Sequence, residues 1–459
     1  MLTLTLLALL QAPAPGVAQF VTVHAPVVAL THVQLIDGTG APARPDQTVI
    51  LRGDRIEAVG PAASTPVPAG ATVLDLAGHT VMPGLVSLHE HTYFGGVRRM
   101  TQMSRSGPLL YLAYGVTTAM TAGAQFPYQE LNLKRAVDAG MLPGPRFFIS
   151  GPYLTGGPPR TTTNRIVNTP EDVRRVIAYW AGEGATWFKF GGQVSRAVLR
   201  AGIEEAHARG ARVTGHLCSV TFTEAAAMGI DALQHGFITA SDYVPDKQPD
   251  VCPPQNMRIQ ADVDVSSPEV QASIRAIVAA GAAVVSTLGV YETFVPERAR
   301  LSPRALELLD PETRKEVEAN HAGLAQGGLT VPPRLLAKMM EWERAFVAAG
   351  GLLGAGCDPW GTGFLPGLGN LRNYELLVEA GFSPEESVRI LTLNGARILG
   401  EDGAIGSIAP GKRADLVVIR GDPVRSPATI TEVVTVFKDG VGFDSARLRA
   451  EAAGRVGIN

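Results

Sequence analysis

Cysteine is scarce: the 459 residues contain three, Cys218, Cys252 and Cys357, with no C-x-x-C pair. At most one disulfide can form, which excludes a fold that depends on a disulfide framework. No charge of one sign dominates. The formal net charge is −3, so nothing in the composition marks nucleic acid or an anionic membrane surface as a partner. Long apolar runs are missing beyond the N-terminus, and no stretch is long enough for a membrane span.

What is present is globular in composition, 46% hydrophobic and 18% charged. The length is too great for one ordinary core but fits a large barrel with a smaller domain. The counts of Gly 51 and Pro 33 suit many tight connections between strands and helices. At the N-terminus, the apolar run Leu2–Leu10 precedes Pro/Ala-rich sequence and a small-residue site at Gly16-Val17-Ala18. This predicts a cleaved signal peptide over residues 1–18 and a periplasmic or extracellular location, although no Lys or Arg precedes the run. No cysteine lies nearby to carry a lipid.

Residues 26–80 read as short strands separated by Asp37-Gly38, Gly53-Asp54, Gly60-Pro61 and Ala77-Gly78, a small antiparallel β unit. Similar strands return at Ala414–Ile419 and Val433–Phe437 within 401–459. The expectation is one β-sandwich built from both chain ends around an inserted larger domain, 81–400. In that domain strand-like runs alternate with helical segments at Pro170–Gly184, Ser195–Gly210 and Pro384–Leu399. Thr169 is placed as N-cap, and Val173, Val176, Ile177 and Trp180 form one stripe. Eight such units predict an α/β fold, a (β/α)8 TIM barrel with a parallel sheet; a doubly wound sheet is the alternative.

The chemistry gathers at strand ends. In Val81–His91 the apolar run ends in His89-Glu90-His91, and alternation puts both imidazoles on one face, which suits a zinc-type divalent metal. Of nine histidines, His89, His91, His216 and His235 each close a predicted barrel strand. Asp358 closes the last, and Lys189 lies near the end of an apolar one. The other five, His24, His32, His79, His207 and His321, read as surface or satisfied residues. Active sites of barrels form at the C-terminal ends of the strands, so the six converge on one mouth. A buried lysine is costly unless neutralised or paired, and a CO2-derived carbamate on Lys189 would make it an anionic oxygen ligand.

The chain resembles the amidohydrolase superfamily, specifically its imidazolonepropionase-like and prolidase-like branch of metal-dependent hydrolases. The likeness rests on Pro83-Gly84-Leu85 with His89-Glu90-His91, on Tyr114–Thr118, Gly144-Pro145-Arg146 and Phe188-Lys189. It continues through Gly215-His216, Gln234-His235-Gly236, Gly356-Cys357-Asp358, Leu393–Arg397 and Gly406–Leu416. The resemblance implies two divalent metal ions, of the zinc type. His89, His91 and Asp358 would bind one, His216 and His235 the other, with carboxylated Lys189 bridging. It implies a bridging hydroxide that attacks an amide C–N bond of a small substrate such as a dipeptide or N-acyl amino acid. Asp358 would serve as general base and acid, with His235 beside it as a catalytic residue.

Cys357 is expected to point away as packing, and Glu90 to face away as a brace. Leu154–Pro159 departs from the Gly-Gly-His common in relatives, which leaves specificity open. Tyr291, Tyr153 and Arg160 are candidate substrate contacts, and Arg372 a weaker one. The Pro- and Asp-rich region Thr239–Ser267 is a candidate lid. Two alternatives remain: hydrolysis of a lactone, ester or cyclic amide at the same site, or a catalytically inactive metal-binding homologue. Imidazolonepropionase activity is less favoured, because Lys189 points to two metals. The expected partner is a small-molecule substrate, without nucleic acid or membrane span; self-association into a homo-oligomer stays open.

Overall fold

The computed structural model describes residues 13–95, 100–158, 163–254, 256–326 and 330–458. Most of the predicted signal peptide, including Leu2–Leu10, lies outside the described residues. Its small-residue site falls in a helical turn, Pro15–Ala18, and Val17 and Phe20 pack into the main apolar core. No helix among the described residues is long and apolar enough to cross a membrane.

Eight short strands form the centre. They are β1 (Leu85–Glu90), β2 (Val116–Thr121), β3 (Arg146–Phe148), β4 (Trp187–Phe190), β5 (Arg212–Gly215), β6 (Ala232–Gln234), β7 (Ala283–Ser286) and β8 (Leu353–Ala355). Nearly every residue in them is buried, the pattern of parallel strands covered on both faces. β1, β2 and β3 pair in parallel, as do β4 through β8 in sequence. The two sheets meet at a parallel bridge, Ser150 to Trp187, and at the bond from the Asp358 N–H to the His89 carbonyl, 2.8 Å. The C-terminal ends of all eight therefore face the same way.

Helices between the strands follow their capping chemistry. Pro170–Glu183 begins at Thr169, whose hydroxyl accepts from the Asp172 N–H, and ends at Gly184 in the left-handed region. Its face of Val173, Val176 and Ile177 is buried. Arg196–Ala208 is capped by Ser195 in the same way. The expected helix over 384–399 is instead two, Pro384–Leu391 and Leu393–Leu399. The break is Thr392 (φ −130°, ψ −83°), whose hydroxyl donates to the Val388 carbonyl, a local bond that competes with the helix ladder.

Where a purely antiparallel sandwich was expected, hydrogen bonds join nine strands from both chain ends into one mixed sheet. The strand Val27–Leu35 is the fork. One edge pairs antiparallel with Arg44–Arg52. On the other edge its first half pairs parallel with Thr72–Asp75, and Gln34 and Leu35 pair parallel with Thr80 and Val81. His32 at φ 58° bends the strand between the halves, where the register shifts. His79–Pro83 then pairs with Leu416–Arg420, bringing in the C-terminal strands. Through Gly84 this strand runs directly into β1; a Cβ there would stand 2.1 Å from the Thr117 hydroxyl oxygen, so only glycine fits. The peripheral sheet thus fixes the start of the strand that carries His89.

Candidate metal centre

His89 is the fifth residue of β1, and His91 follows the strand by one residue. Their rings lie 5.3 Å apart, edge to face. Lys189 is the third residue of β4. His216 and His235 each lie one residue past β5 and β6, and Asp358 three past β8. Asp358 sits at the middle. One carboxylate oxygen is 3.0 Å from His91 Nε2 and 3.6 Å from His89 Nε2, and the other is 3.7 Å from His235 Nδ1. Lys189 Nζ lies 3.4 Å from His89 Nε2. The His235 ring stands 4.5 Å from that of His89 and 4.9 Å from that of His216. One donor atom each from His89, His91 and Asp358 falls within 4.8 Å of the others. The structure brings together all six residues singled out at strand ends.

Two of the six stand in a backbone conformation that side chains rarely adopt: His235 at φ 68° and Asp358 at φ 56°. Such residues cost on the order of 1–3 kcal/mol each and persist where surrounding structure dictates them. At His235 the turn has a consequence. It ends strand alternation after Gln234, so two consecutive side chains reach His89: the His235 ring and Gln234 Oε1, 2.6 Å from His89 Nδ1. Gln234 Nε2 donates to Thr214 Oγ1 at 2.7 Å, which orients the amide oxygen toward His89. His89 therefore carries its proton on Nδ1, leaving the Nε2 lone pair facing Asp358 and Lys189.

Burial sets the charges. It depresses His89 and His235 well below the usual imidazole range, with Lys189 and His89 respectively adding to the effect. Burial likewise lowers His216 to about 4, and it outweighs the Asp358 bond at His91. The four rings are neutral near pH 7, with lone pairs to offer. Burial also brings Lys189 down to about 7. For Asp358 burial acts upward, but His89, the His91 bond and His235 outweigh it and keep the carboxylate ionised. Four neutral imidazoles and one anionic carboxylate are donors of the kind that suits a borderline divalent cation.

Behind the site, Glu90 faces away from the imidazoles, as alternation requires. It accepts from Ser87, from Asn370 Nδ2 at 2.8 Å and from the Cys357 N–H at 3.3 Å. Tyr111 donates to the His91 carbonyl at 2.7 Å. Cys357 also points away, packed against Val290 and Phe364.

The six residues line one cavity of about 300 Å³. Tyr153 and Tyr291, singled out from sequence, line it too: the Tyr291 ring lies 5.5 Å from that of His235, and Lys189 Nζ is 5.6 Å from the Tyr153 ring centre. Arg160 lies outside the described residues. Arg372 is elsewhere, paired with Glu292 and Glu375 beside a second, larger cavity of about 520 Å³. Sequence reasoning assigned no role to Gln234, Thr287 (2.8 Å from His235 Nδ1), Tyr93, Gln125 or Trp360, all at the site. None of the described residues of Thr239–Ser267 lines the cavity. Two ties hold that region: Cys252 is bonded to Cys218, and buried Gln260 donates to the Phe237 carbonyl at 2.6 Å.

Residues 366–442 match the amidohydrolase family model. Imidazolonepropionase of Streptomyces griseus is 34% identical over 112 residues, 23% of this chain and 28% of that protein. The chain spans less than a third of the length of the curated relatives it matches. Among solved structures, a candidate prolidase from Bifidobacterium longum is 25% identical with a TM-score of 0.65, covering 93% of this chain and 98% of that one. Bottromycin amidohydrolase superposes with a TM-score of 0.72 at 22% identity, covering 95% and 92%, a likeness of fold. These likenesses all point to the amidohydrolase superfamily and to its imidazolonepropionase- and prolidase-like branch.

Proposed function

We propose that the chain is a two-metal hydrolase that cleaves a C–N bond of a small substrate at the mouth of a closed (β/α)8 barrel. Residues 26–80 and 401–459 would frame the barrel of 81–400. The observation that carries this reading is the convergence of four neutral imidazoles, an ionised carboxylate and Lys189 on one cavity. The donor set fits divalent ions of the zinc type. His89, His91 and Asp358 would hold one and His216 and His235 the other, with carboxylated Lys189 between them.

The chain's own residues prepare each part. Lys189, buried and lowered to about 7, has a large neutral fraction at neutral pH. Its free lone pair can add to CO2, forming an N–C bond and releasing one proton, which leaves an anionic oxygen donor. When bound, the metal pair supplies Lewis-acid polarisation of a carbonyl and a water of lowered pKa. Asp358 accepts the proton of the attacking water on a carboxylate oxygen and returns it to the leaving nitrogen. His235, within 3.7 Å of that carboxylate, is placed to steady it. Gln234 holds the His89 tautomer. No nucleophilic side chain is needed, and buried Cys357 faces away.

An N-terminal signal peptide over 1–18 and an extracytoplasmic location are part of the proposal. The Cys218–Cys252 disulfide supports an oxidising compartment.

The test is amine release from dipeptides, N-acyl amino acids and neutral amides, with zinc and bicarbonate supplied. Turnover that vanishes in Asp358→Asn supports the reading; turnover that survives the substitution contradicts it.

A further inference from the structure

Beyond the six polar residues, the 300 Å³ cavity has a consistent character. Its walls include Tyr93, Tyr153, Tyr291, Phe294 and Trp360, together with Met100 and Val290. Tyr93 stacks on His91, ring centres 4.5 Å apart and planes 29° from parallel, so it is fixed beside the donor set. Trp360 lies against Gly95, where an added Cβ would stand 3.2 Å from the indole, and is 39% exposed, placing it at the rim. An exposed indole at the mouth of a cavity with aromatic walls is surface that gains by being covered with another flat apolar group.

The polar groups among these walls are neutral. Tyr153 and Tyr291 each bring a phenolic hydroxyl, which is un-ionised and a donor at neutral pH. Both residues are half-buried, and neither hydroxyl has a hydrogen-bond partner within the described protein; the fully buried Tyr111 and Tyr374 bond the His91 and Pro423 carbonyls. Two donors without protein partners beside a cavity are free to bond an acceptor on a bound molecule. Gln125 donates to Asn164 Oδ1 at 3.1 Å, a pair of uncharged amides on the same wall. Among the described residues lining the cavity, the only lysine or arginine is Lys189, which belongs to the metal set.

We propose that the cavity selects uncharged amides bearing an aromatic or bulky apolar group. The aromatic walls and Trp360 would receive that group, and the Tyr153 and Tyr291 hydroxyls would donate to neutral acceptors of the substrate. This deepens the hydrolase reading above and rests on it. An apolar ring gains by leaving water for the aromatic walls, whereas a carboxylate entering them sheds its hydration for two neutral hydroxyls.

The experiment compares N-benzylbenzamide, neutral, with N-benzoylglycine, which carries the same benzoyl amide and a carboxylate. Zinc-loaded protein is assayed for amine release, and both compounds are titrated calorimetrically against the Asp358→Asn variant. The expected result is at least tenfold higher kcat/KM and at least tenfold tighter binding for the neutral compound. Trp360→Ala should raise KM for the neutral compound about tenfold with kcat nearly unchanged. Equal or better turnover or binding of the carboxylate overturns the inference while leaving the hydrolase reading intact. Absence of turnover with both, while the neutral compound still binds tenfold tighter, supports the inference about the cavity and counts against the hydrolase reading. Absence of binding by the neutral compound overturns the inference.

Discussion

Gln234 offers a sharp probe of the site, because its side chain hydrogen-bonds His89 and none of the other five strand-end residues. Its Oε1 lies 2.6 Å from His89 Nδ1, and its Nε2 bonds Thr214 Oγ1 at 2.7 Å, with the Leu88 carbonyl farther at 3.4 Å. Replacing it by Leu keeps the volume and the apolar fill. Thr214 retains its own bond to the Ala232 carbonyl at 2.9 Å, so that hydroxyl is not orphaned as a donor. The direct loss is the acceptor that holds the His89 proton on Nδ1. Partners of this kind typically contribute 10- to 100-fold in metal affinity, roughly 1.4–2.7 kcal/mol. Gln234→Leu should therefore bind zinc 10- to 100-fold more weakly, measured by competition with a chromophoric chelator. Circular dichroism and the unfolding midpoint would show that the fold is retained. Unchanged affinity in a folded variant would refute the idea that Gln234 orients the His89 lone pair.

Two further outcomes follow from burial and connectivity. Burial raises the Glu343 carboxyl to about 8, with the Ser286 hydroxyl bond opposing. A folded pKa above the unfolded value means stability that is complete below about pH 4.5 and is lost as pH rises through 8. The loss is on the order of 4 kcal/mol, and Glu343→Gln should flatten urea-denaturation stability between pH 5 and 8; an unaltered slope would count against it. The Cys218–Cys252 bond closes a span of 34 residues, worth roughly 3–4 kcal/mol by chain entropy. Cys252→Ser should lower stability by about that amount in chemical denaturation, and thiol titration of the unfolded, unreduced wild type should find one free cysteine, Cys357; three free thiols would contradict the pairing.

How much of this was legible in the sequence depended on how local the signal was. His89 and His91 could be paired because alternation along a strand is a two-residue rule, and β1 obeys it. His216, His235 and Asp358 could be placed because each ends an apolar run, and runs of that kind make parallel strands. Gln234 could not be assigned a role, since its contact with His89 depends on the left-handed backbone at His235, which no periodicity announces. The break at Thr392 was hidden for a similar reason: a side-chain bond to Val388 ends a pattern that otherwise reads as one helix. The parallel pairings of Val27–Leu35 are long-range choices made where His32 bends the strand. The partner of Cys218 lies 34 residues away, and spacing alone does not choose among three cysteines. Tyr93 and Trp360 reach the cavity just beyond the metal-type residues of their own loops, where alternation gives no guidance.

On the proposed reading, six residues at the ends of β1, β4, β5, β6 and β8 hold two metal ions, with Lys189 between them. The direct measurement is metal content per chain by plasma mass spectrometry, after loading with zinc and bicarbonate and removal of free metal. Two ions in the wild type, falling to one in Lys189→Ala, are expected. One ion or none in the wild type, or two retained in Lys189→Ala, would contradict it.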